Sequence, residues 1–146
     1  MTSMKEVTID PTELRNAFEF VSAGDLYDTS AYISLDTGRI YLVSDVVEEI
    51  EDLPDDLETP GRYIAVPDKK DLDLGRPLVL SFIEQELPDE YETVVGFFRR
   101  KGAYGRLKEL LASRGMLQKW YDYGDRATDE ALRDWCEENG IQLVAR

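Results

Sequence analysis

Histidine is absent from the 146 residues of this chain. Its absence removes the side chain that most often serves as a general base or a zinc ligand, and it excludes every Ser-His and Cys-His nucleophile pair. An enzyme of this composition would have to use carboxylates, tyrosine, lysine or arginine. The composition therefore leaves enzymatic activity open, but it favours a protein that catalyses no reaction.

Cysteine and long apolar runs are also scarce. The single cysteine, Cys136, excludes an internal disulfide, which is typical of proteins in a reducing cytoplasm. No stretch approaches the roughly 20 apolar residues that span a bilayer, and residues 1–6 lack the apolar core of a signal peptide. We therefore expect a cytoplasmic protein without a membrane segment. Since no linker or internal repeat divides the chain, we expect residues 1–146 to form a single domain.

Charge is unevenly distributed along the chain, whose net charge is −14. Residues 1–98 carry 7 Lys and Arg against 23 Asp and Glu, whereas residues 99–146 carry 10 against 8. Long-range repulsion from the acidic part slows the approach of nucleic acid or of an anionic membrane. This distribution favours a basic or neutral protein as the binding partner.

The first half of the chain contains the signals of a small β-sheet. Residues 31–35 and 39–43 are rich in β-branched and aromatic side chains, and they flank a short loop that contains Gly38. This pattern predicts a β-hairpin. Residues 62–66, which are followed by Pro67, predict a third strand.

Helices dominate the second half. The predicted helices begin or end at proline, glycine or capping residues, with Asp10 as the N-cap of the first helix and Thr128 as the cap of the last. They cover residues 10–24, 77–87, 88–98, 103–114, a short turn or helix at 116–121, and 128–139. Residues 141–144 predict a terminal strand. The fold class is therefore α+β, with a small, mostly antiparallel sheet (the hairpin plus one or two strands) packed against a C-terminal helical half.

Several short motifs resemble those of a known bacterial group. They are Lys101-Gly102-Ala103-Tyr104, Arg106-Leu107-Lys108, Trp120-Tyr121 and residues 135–141, together with residues 34–40 and 62–64. Over most of its length the chain resembles uncharacterised protein family 0158. It departs from the family pattern at Gly105, where a larger residue is expected, and at Cys136, where an aliphatic residue is expected. The resemblance implies a bacterial cytoplasmic origin and brings no catalytic residues with it.

A basic stretch centred on residues 99–108 is the first candidate site. It could contact phosphate or nucleic acid, because Arg99, Arg100 and Lys101 adjoin the N-terminus of a predicted helix. Alternatively, these cations complement the dipole of the preceding helix. In the helix that follows, at about 100° per residue, Arg106 and Lys108 lie on opposite flanks of the apolar stripe centred on Leu107, which favours the second interpretation. The candidate binding residues are Arg99, Arg100, Lys101, Gly102, Tyr104, Arg106, Lys108 and Lys119.

An acidic run from Asp45 to Glu58 is the second candidate site. On a helix, four of its carboxylates would share a face and could bind Mg²⁺ or Ca²⁺, and Asp71 and Asp73 form a further Asp-x-Asp pair. The loop that begins at Asp71 lacks the spacing of a calcium loop, so a solvated acidic surface is favoured and no metal site is predicted. The candidate docking residues are Glu48, Glu49, Glu51 and Asp52.

Aromatic residues and the cysteine are better explained by a core than by a site. Helical spacing places most of Tyr104, Trp120, Tyr121, Tyr123 and Trp135 on buried faces, although such rings can also stack on bases. Cys136 lies on the buried side of its helix and precedes two glutamates, a setting that raises a thiol pKa and disfavours a nucleophile.

Three functional hypotheses follow. The first is a cytoplasmic binding or regulatory module that acts through contacts with a partner protein and needs no cofactor. The second is a nucleic-acid-associated protein that uses the basic residues around 99–108. The third is a carboxylate- or metal-dependent enzyme. The lack of catalytic residue types and the polarised charge favour the first.

Overall fold

The fold is described from a computed structural model, which covers residues 7–22, 29–44, 54, 56–57, 59 and 61–144. Its strands are β1 (Val7–Ile9), β2 (Thr29–Ser34), β3 (Ile40–Ser44), β4 (Tyr63–Ala65) and β5 (Ile141–Leu143). Its helices are α1 (Pro11–Ser22), α2 (Arg76–Glu86), α3 (Tyr91–Phe97), α4 (Ala103–Ser113) and α5 (Leu117–Glu138), with a 3-10 turn at Pro88–Glu90 before α3. The predicted α+β class is confirmed.

Two compact units make up the chain: Met1–Leu72 with Ala131–Arg146, and Asp73–Glu130. In the first unit, β2 lies between β3 and β4 in an antiparallel sheet, with Tyr32 opposite both Tyr41 and Ala65. Helix α1 packs on β2 and β3. The amide of Thr12 donates to the Asp10 carboxylate at 2.7 Å, which confirms Asp10 as the N-cap of α1. The predicted hairpin and third strand are confirmed as well.

A parallel pair of short strands completes the first unit. Val7 lies opposite Ile141 and Ile9 opposite Leu143. The amide of Val144 donates to the carbonyl of Ile9 at 2.9 Å, which extends the pairing by one hydrogen bond. The sequence predicts β5 but not β1.

The second unit has a core built from α2, α3 and α4. Its buried members are Val79, Phe82, Ile83, Val94, Leu107 and Leu111. All six lie in the helices predicted at residues 77–87, 88–98 and 103–114. Partly buried aromatic rings from α5 cover this core, since Trp120 and Tyr123 pack against it.

Helix α5 differs from the prediction. We expected a short turn at 116–121 and a separate helix capped by Thr128, but residues 117–138 form one continuous helix. The Thr128 hydroxyl donates to the carbonyl of Gly124 at 2.8 Å, one turn earlier, instead of capping a new helix. Threonine makes this bond readily inside helices, which explains why its capping signal is ambiguous. The expectation of a separate last helix was wrong.

Candidate binding surface

The basic residues Arg99, Arg100 and Lys101 lie in the connection between α3 and α4. Two backbone hydrogen bonds shape its first part, from the amide of Arg99 to the carbonyl of Gly96 at 3.2 Å and from the amide of Arg100 to the carbonyl of Phe97 at 3.3 Å. Gly102 then takes a left-handed conformation with φ of 83°, which only glycine adopts at little cost. We call residues 99–102 the cationic turn. All four are exposed.

Arg106 joins the cationic turn from the first part of α4. Its Nη1 donates to the carbonyl of Lys101 at 3.2 Å. The next residue, Leu107, is buried in the core, which fixes the rotation of α4 about its axis. Lys108 therefore lies on the opposite flank from Arg106, as predicted, and shares a flank with Tyr104, four residues earlier. The structure thus brings Arg106 to the turn and leaves Lys108 to one side.

The cations of the second unit differ in whether a carboxylate compensates them. Arg114 pairs with Glu90 at 2.6 Å, and Lys119 pairs with the carboxylate of Glu86. Glu86 therefore compensates the charge of Lys119. By contrast, Arg99, Arg100, Lys101 and Lys108 form no ion pair with any residue that the structure describes. The turn keeps its positive charge available to a partner.

Two aromatic rings, one on each side of the cationic turn in the chain, contact each other. Phe98 and Tyr104 pack edge to face, with ring centroids 5.6 Å apart and planes at 88°. Tyr104 is 38% exposed, so the expectation that it points inward was wrong. Burial of part of the side chain raises the pKa of the Tyr104 hydroxyl above its ordinary value. The pair connects the residues that precede and follow the turn.

Arg76 is a neighbour of this surface that the sequence did not reveal. Its guanidinium lies over the Phe98 ring, 5.7 Å from the ring centroid. The contact has the geometry of a cation–π interaction. Arg76 begins α2, and only the packing of α2 against α3 brings it near the turn. No local signal marked it, because the two residues are 22 positions apart in the chain.

The acidic candidates fall largely outside the part of the chain that the structure covers. Glu48, Glu49, Glu51 and Asp52 lie outside the described residues. Of the same run, Asp56 is described. Its carboxylate accepts hydrogen bonds from Arg62 at 2.9 Å and from the Tyr63 hydroxyl at 3.1 Å. Asp56 therefore contributes to the local structure beside β4.

The Asp71 and Asp73 pair is part of a turn. Asp68 and Asp71 exchange hydrogen bonds, since each carboxylate accepts from the backbone amide of the other residue at 3.0 and 2.8 Å. Among the described residues, no group of three or more Cys, Asp or Glu side chains comes close enough to hold a metal ion. The carboxylate of Asp71 thus has a structural role as a turn partner.

An open cleft of about 120 Å³ lies in the first unit. Its lining includes residues of α1, β2, β4 and the following loop, among them Val21, Thr29, Tyr32, Ala65, Val66, Asp68 and Asp71. Pockets that take small molecules usually measure about 300–1,000 Å³ and are mainly apolar. At about 120 Å³, this cleft is smaller than a typical small-molecule pocket.

Cys136 and the remaining aromatic residues follow the core interpretation with one exception. Cys136 is buried, and burial raises the pKa of its thiol to about 11. The thiol is therefore protonated at neutral pH, as expected. Trp120 and Tyr123 pack on the core, but Tyr121 is 42% exposed. Within the described ranges, no helix is both long enough and apolar enough to cross a membrane.

Comparison with known proteins gives two matches. The model of a family described as "Uncharacterised protein family (UPF0158)" matches residues 4–146. A UPF0158 protein of Pseudomonas aeruginosa is 29% identical over 145 residues, which cover 98% of this chain and 90% of that relative. No solved structure matches the chain.

Proposed function

The chain belongs to the uncharacterised protein family UPF0158, and we propose that it is a non-catalytic binding module that captures a partner protein on the cationic turn. The observation that carries this proposal is the exposed group Arg99, Arg100 and Lys101, which has no carboxylate partner among the described residues. Arginine is enriched at the centres of protein interfaces, together with tyrosine. Tyr104 supplies the second of these residue types at the same place.

The backbone of the turn supports a binding role. Hydrogen bonds to Gly96 and Phe97, the left-handed Gly102 and the Phe98–Tyr104 pair fix the path of residues 98–104. A binding surface that is already ordered loses less conformational entropy when a partner binds. The arginine side chains remain free to form bidentate hydrogen bonds with carboxylates.

Nucleic acid is the second candidate ligand, because the same cations suit phosphate. Duplex DNA, however, carries one negative charge per about 1.7 Å over its whole length. It would extend beyond the turn and face the rest of a chain whose net charge is −14. A segment of a protein can place a few carboxylates on the turn without bringing further negative charge close to the acidic part of the chain. This difference favours a protein partner.

The proposal is tested by reversing the charge of the turn in one triple variant, Arg99→Glu, Arg100→Glu and Lys101→Glu. We expect partner proteins captured from a nuclease-treated bacterial lysate to bind at least about tenfold less well, since a loss of about 1.4 kcal/mol has that effect. Substitutions at exposed positions of a turn leave stability nearly unchanged. Quantitative mass spectrometry of the captured proteins measures the change.

A second triple variant, Lys70→Glu, Arg126→Glu and Arg133→Glu, serves as the matched control. It alters the net charge by the same amount at exposed positions outside the turn. Capture that falls equally in both variants would mean that total charge, and not the turn, determines binding. Capture that disappears after nuclease treatment of the wild-type sample would assign the turn to nucleic acid. In that case the affinity would change with salt with a log–log slope of about −3 to −5 for four or five phosphate contacts.

The acidic residues Glu48, Glu49, Glu51 and Asp52 remain a second proposed docking surface. Changing all four to lysine is expected to weaken capture of any partner that is drawn by the acidic half of the chain, because the field around that half becomes less negative. The same capture experiment measures this effect, and its salt dependence should decrease with it. Unchanged capture of every partner would remove the acidic run from the function.

A further inference from the structure

The central strand of the antiparallel sheet is covered unevenly by its two neighbours. Strand β3 pairs with residues 29–33 of β2, whereas β4 pairs only with residues 32–34. Beyond β4, the amide of Val66 adds one hydrogen bond to the carbonyl of Ala31 at 2.8 Å. Within the described residues, the first half of β2 therefore has no strand beside it on the β4 side.

The residues that follow β4 cannot continue the pairing. Pro67 has no amide to donate. The amide of Asp68 donates to the carboxylate of Asp71 at 3.0 Å, and the amide of Lys69 donates to the Ser22 hydroxyl at 3.0 Å. These amides are therefore not available to β2, and the cleft of about 120 Å³ lies where β4 would have continued.

Thr29 directs its backbone groups toward the cleft. In an antiparallel sheet, alternate residues of a strand form hydrogen bonds to the same neighbour. Since the carbonyl of Ala31 accepts from Val66, the amide and the carbonyl of Thr29, two residues earlier, face that side as well. The Thr29 hydroxyl donates to the carbonyl of Phe20 at 3.1 Å, which holds the residue in place. An ordered strand whose backbone groups face an open cleft has the geometry that strand addition requires.

Charge determines which kind of segment suits the cleft. The first unit carries 8 Lys and Arg against 20 Asp and Glu, whereas the second carries 9 against 11. The first unit thus holds −12 of the net charge of −14. Among the described residues that line the cleft, the charged ones are Asp68 and Asp71. The field of this unit therefore attracts a cationic segment and repels an acidic one.

The two carboxylates keep acceptor capacity for a ligand. Oδ1 of Asp68 accepts from the amide of Asp71 at 2.8 Å, and Oδ2 of Asp71 accepts from the amide of Asp68. Each turn bond uses one oxygen of its carboxylate. The second oxygen of each can accept a hydrogen bond from an ammonium or guanidinium group.

We infer that the cleft binds a short extended segment of a partner protein, which adds to β2 in line with β4 and places a lysine or arginine side chain against Asp68 and Asp71. The cleft has room for several water molecules but not for a drug-sized molecule, so it receives one residue of the segment while the flanking residues lie outside. This inference goes beyond the proposed function. It assigns a second binding surface, which belongs to the other unit and has the opposite charge to the cationic turn.

Three labelled pentapeptides test the inference by fluorescence anisotropy with the full chain. The first has a central lysine between two valines and a threonine at each end. The second has norleucine in place of lysine, and the third is the first with methyl groups on two consecutive backbone nitrogens, so that both of its edges lose a donor. We expect the lysine peptide to bind about fivefold more tightly than the norleucine peptide, because it adds ion pairs at an exposed site. Methylation should weaken binding about threefold to tenfold, because it removes a backbone hydrogen bond and keeps the charge.

Asp71→Asn tests the contact from the side of the protein. Asparagine keeps an oxygen that accepts from the amide of Asp68, so the turn is retained while one charge is removed. The preference for lysine should fall from about fivefold to about twofold, since Asp68 remains. Asp36→Asn is the matched control, because it removes an exposed carboxylate of the same unit from the loop between β2 and β3. It should leave the preference unchanged.

Hydrogen exchange measured by NMR locates the bound peptide. The amide of Thr29 should exchange at least about fivefold more slowly in the presence of saturating lysine peptide, because an added strand protects it. The amide of Val66 already donates to the carbonyl of Ala31, so its exchange should change little. An unchanged exchange rate of the Thr29 amide would place the peptide elsewhere and overturn the inference.

The remaining outcomes separate this inference from the proposed function. Equal binding of the lysine and norleucine peptides would overturn the charged contact, and equal binding of the methylated peptide would overturn strand addition. Absence of binding at millimolar peptide would overturn the inference as a whole and leave the cationic turn unaffected. Charge reversal at Arg99, Arg100 and Lys101 should not weaken peptide binding, and a loss there would assign the peptide to the turn instead of the cleft. A lysine preference that falls in Asp71→Asn but not in Asp36→Asn would support the inference.

Discussion

Replacement of Phe82 by alanine is expected to lower the free energy of unfolding by about 3–5 kcal/mol. Phe82 is 1% exposed and lies in the core of the second unit. Its ring centroid is 5.3 Å from that of Trp120 and 5.1 Å from that of Tyr123. Truncation leaves a cavity between α2 and α5, and these two rings lose their partner.

Urea denaturation followed by tryptophan fluorescence measures this loss. Trp120 lies in the second unit beside Phe82, so its emission also reports the local repacking. Tyr121→Ala is the matched control, because it removes an aromatic ring from the same unit at a position that is 42% exposed. The control should change stability by less than about 1 kcal/mol. A comparably small loss for Phe82→Ala would show that the core relaxes into the cavity.

The same substitution bears on the proposal that residues 1–146 fold as a single domain. The two tryptophans are divided between the units, since Trp135 belongs to the first and Trp120 to the second. Variants that keep one tryptophan each therefore report the units separately. We expect both reporters to shift by the same amount in Phe82→Ala, as coincident transitions indicate two-state unfolding. A shift seen by Trp120 alone would divide the chain into two domains.

The sequence predicted most of the architecture because local patterns determine it. Apolar spacing located α2 and α4, the Asp10-Pro11 pair located the start of α1, and Gly38 located the hairpin. Errors arose where a local signal has two meanings. Thr128 followed by acidic residues is a helix start in many chains, yet here the hydroxyl bonds to Gly124 within a longer helix. Packing against the core stabilises one continuous helix relative to a short turn followed by a separate helix.

The candidate surface was only partly predictable for a related reason. Arg99, Arg100 and Lys101 could be read from their contrast with an acidic chain, since charge is visible without a fold. Ion pairs cannot be read from the sequence in this way. The ion pair between Lys119 and Glu86 depends on the packing of the second unit. The exposure of Tyr104 and the approach of Arg76 to Phe98 likewise require the arrangement of helices. Contacts distant in sequence decide which cations remain available.

Substitution of Gly38 by alanine is expected to cost about 2–5 kcal/mol of stability. Two effects combine at this residue, which lies in the loop between β2 and β3. Its φ of 78° lies in the left-handed region, where a residue with a Cβ atom loses about 1–2 kcal/mol. In addition, a Cβ atom would lie 2.6 Å from the carbonyl oxygen of Thr8 in β1. Since that atom belongs to the backbone, relief requires the loop and β1 to move apart.

Gly61 allows the two effects to be separated. It has a similar φ of 85°, belongs to the same unit, and has nothing within 4 Å of the position that a Cβ atom would take. Gly61→Ala should therefore lose only the conformational part, about 1–2 kcal/mol, in the same urea titration. The excess loss in Gly38→Ala then measures how rigidly the hairpin loop is held against β1. Equal losses would mean that β1 yields to the added methyl group, because the loop contact would then contribute nothing beyond the backbone conformation.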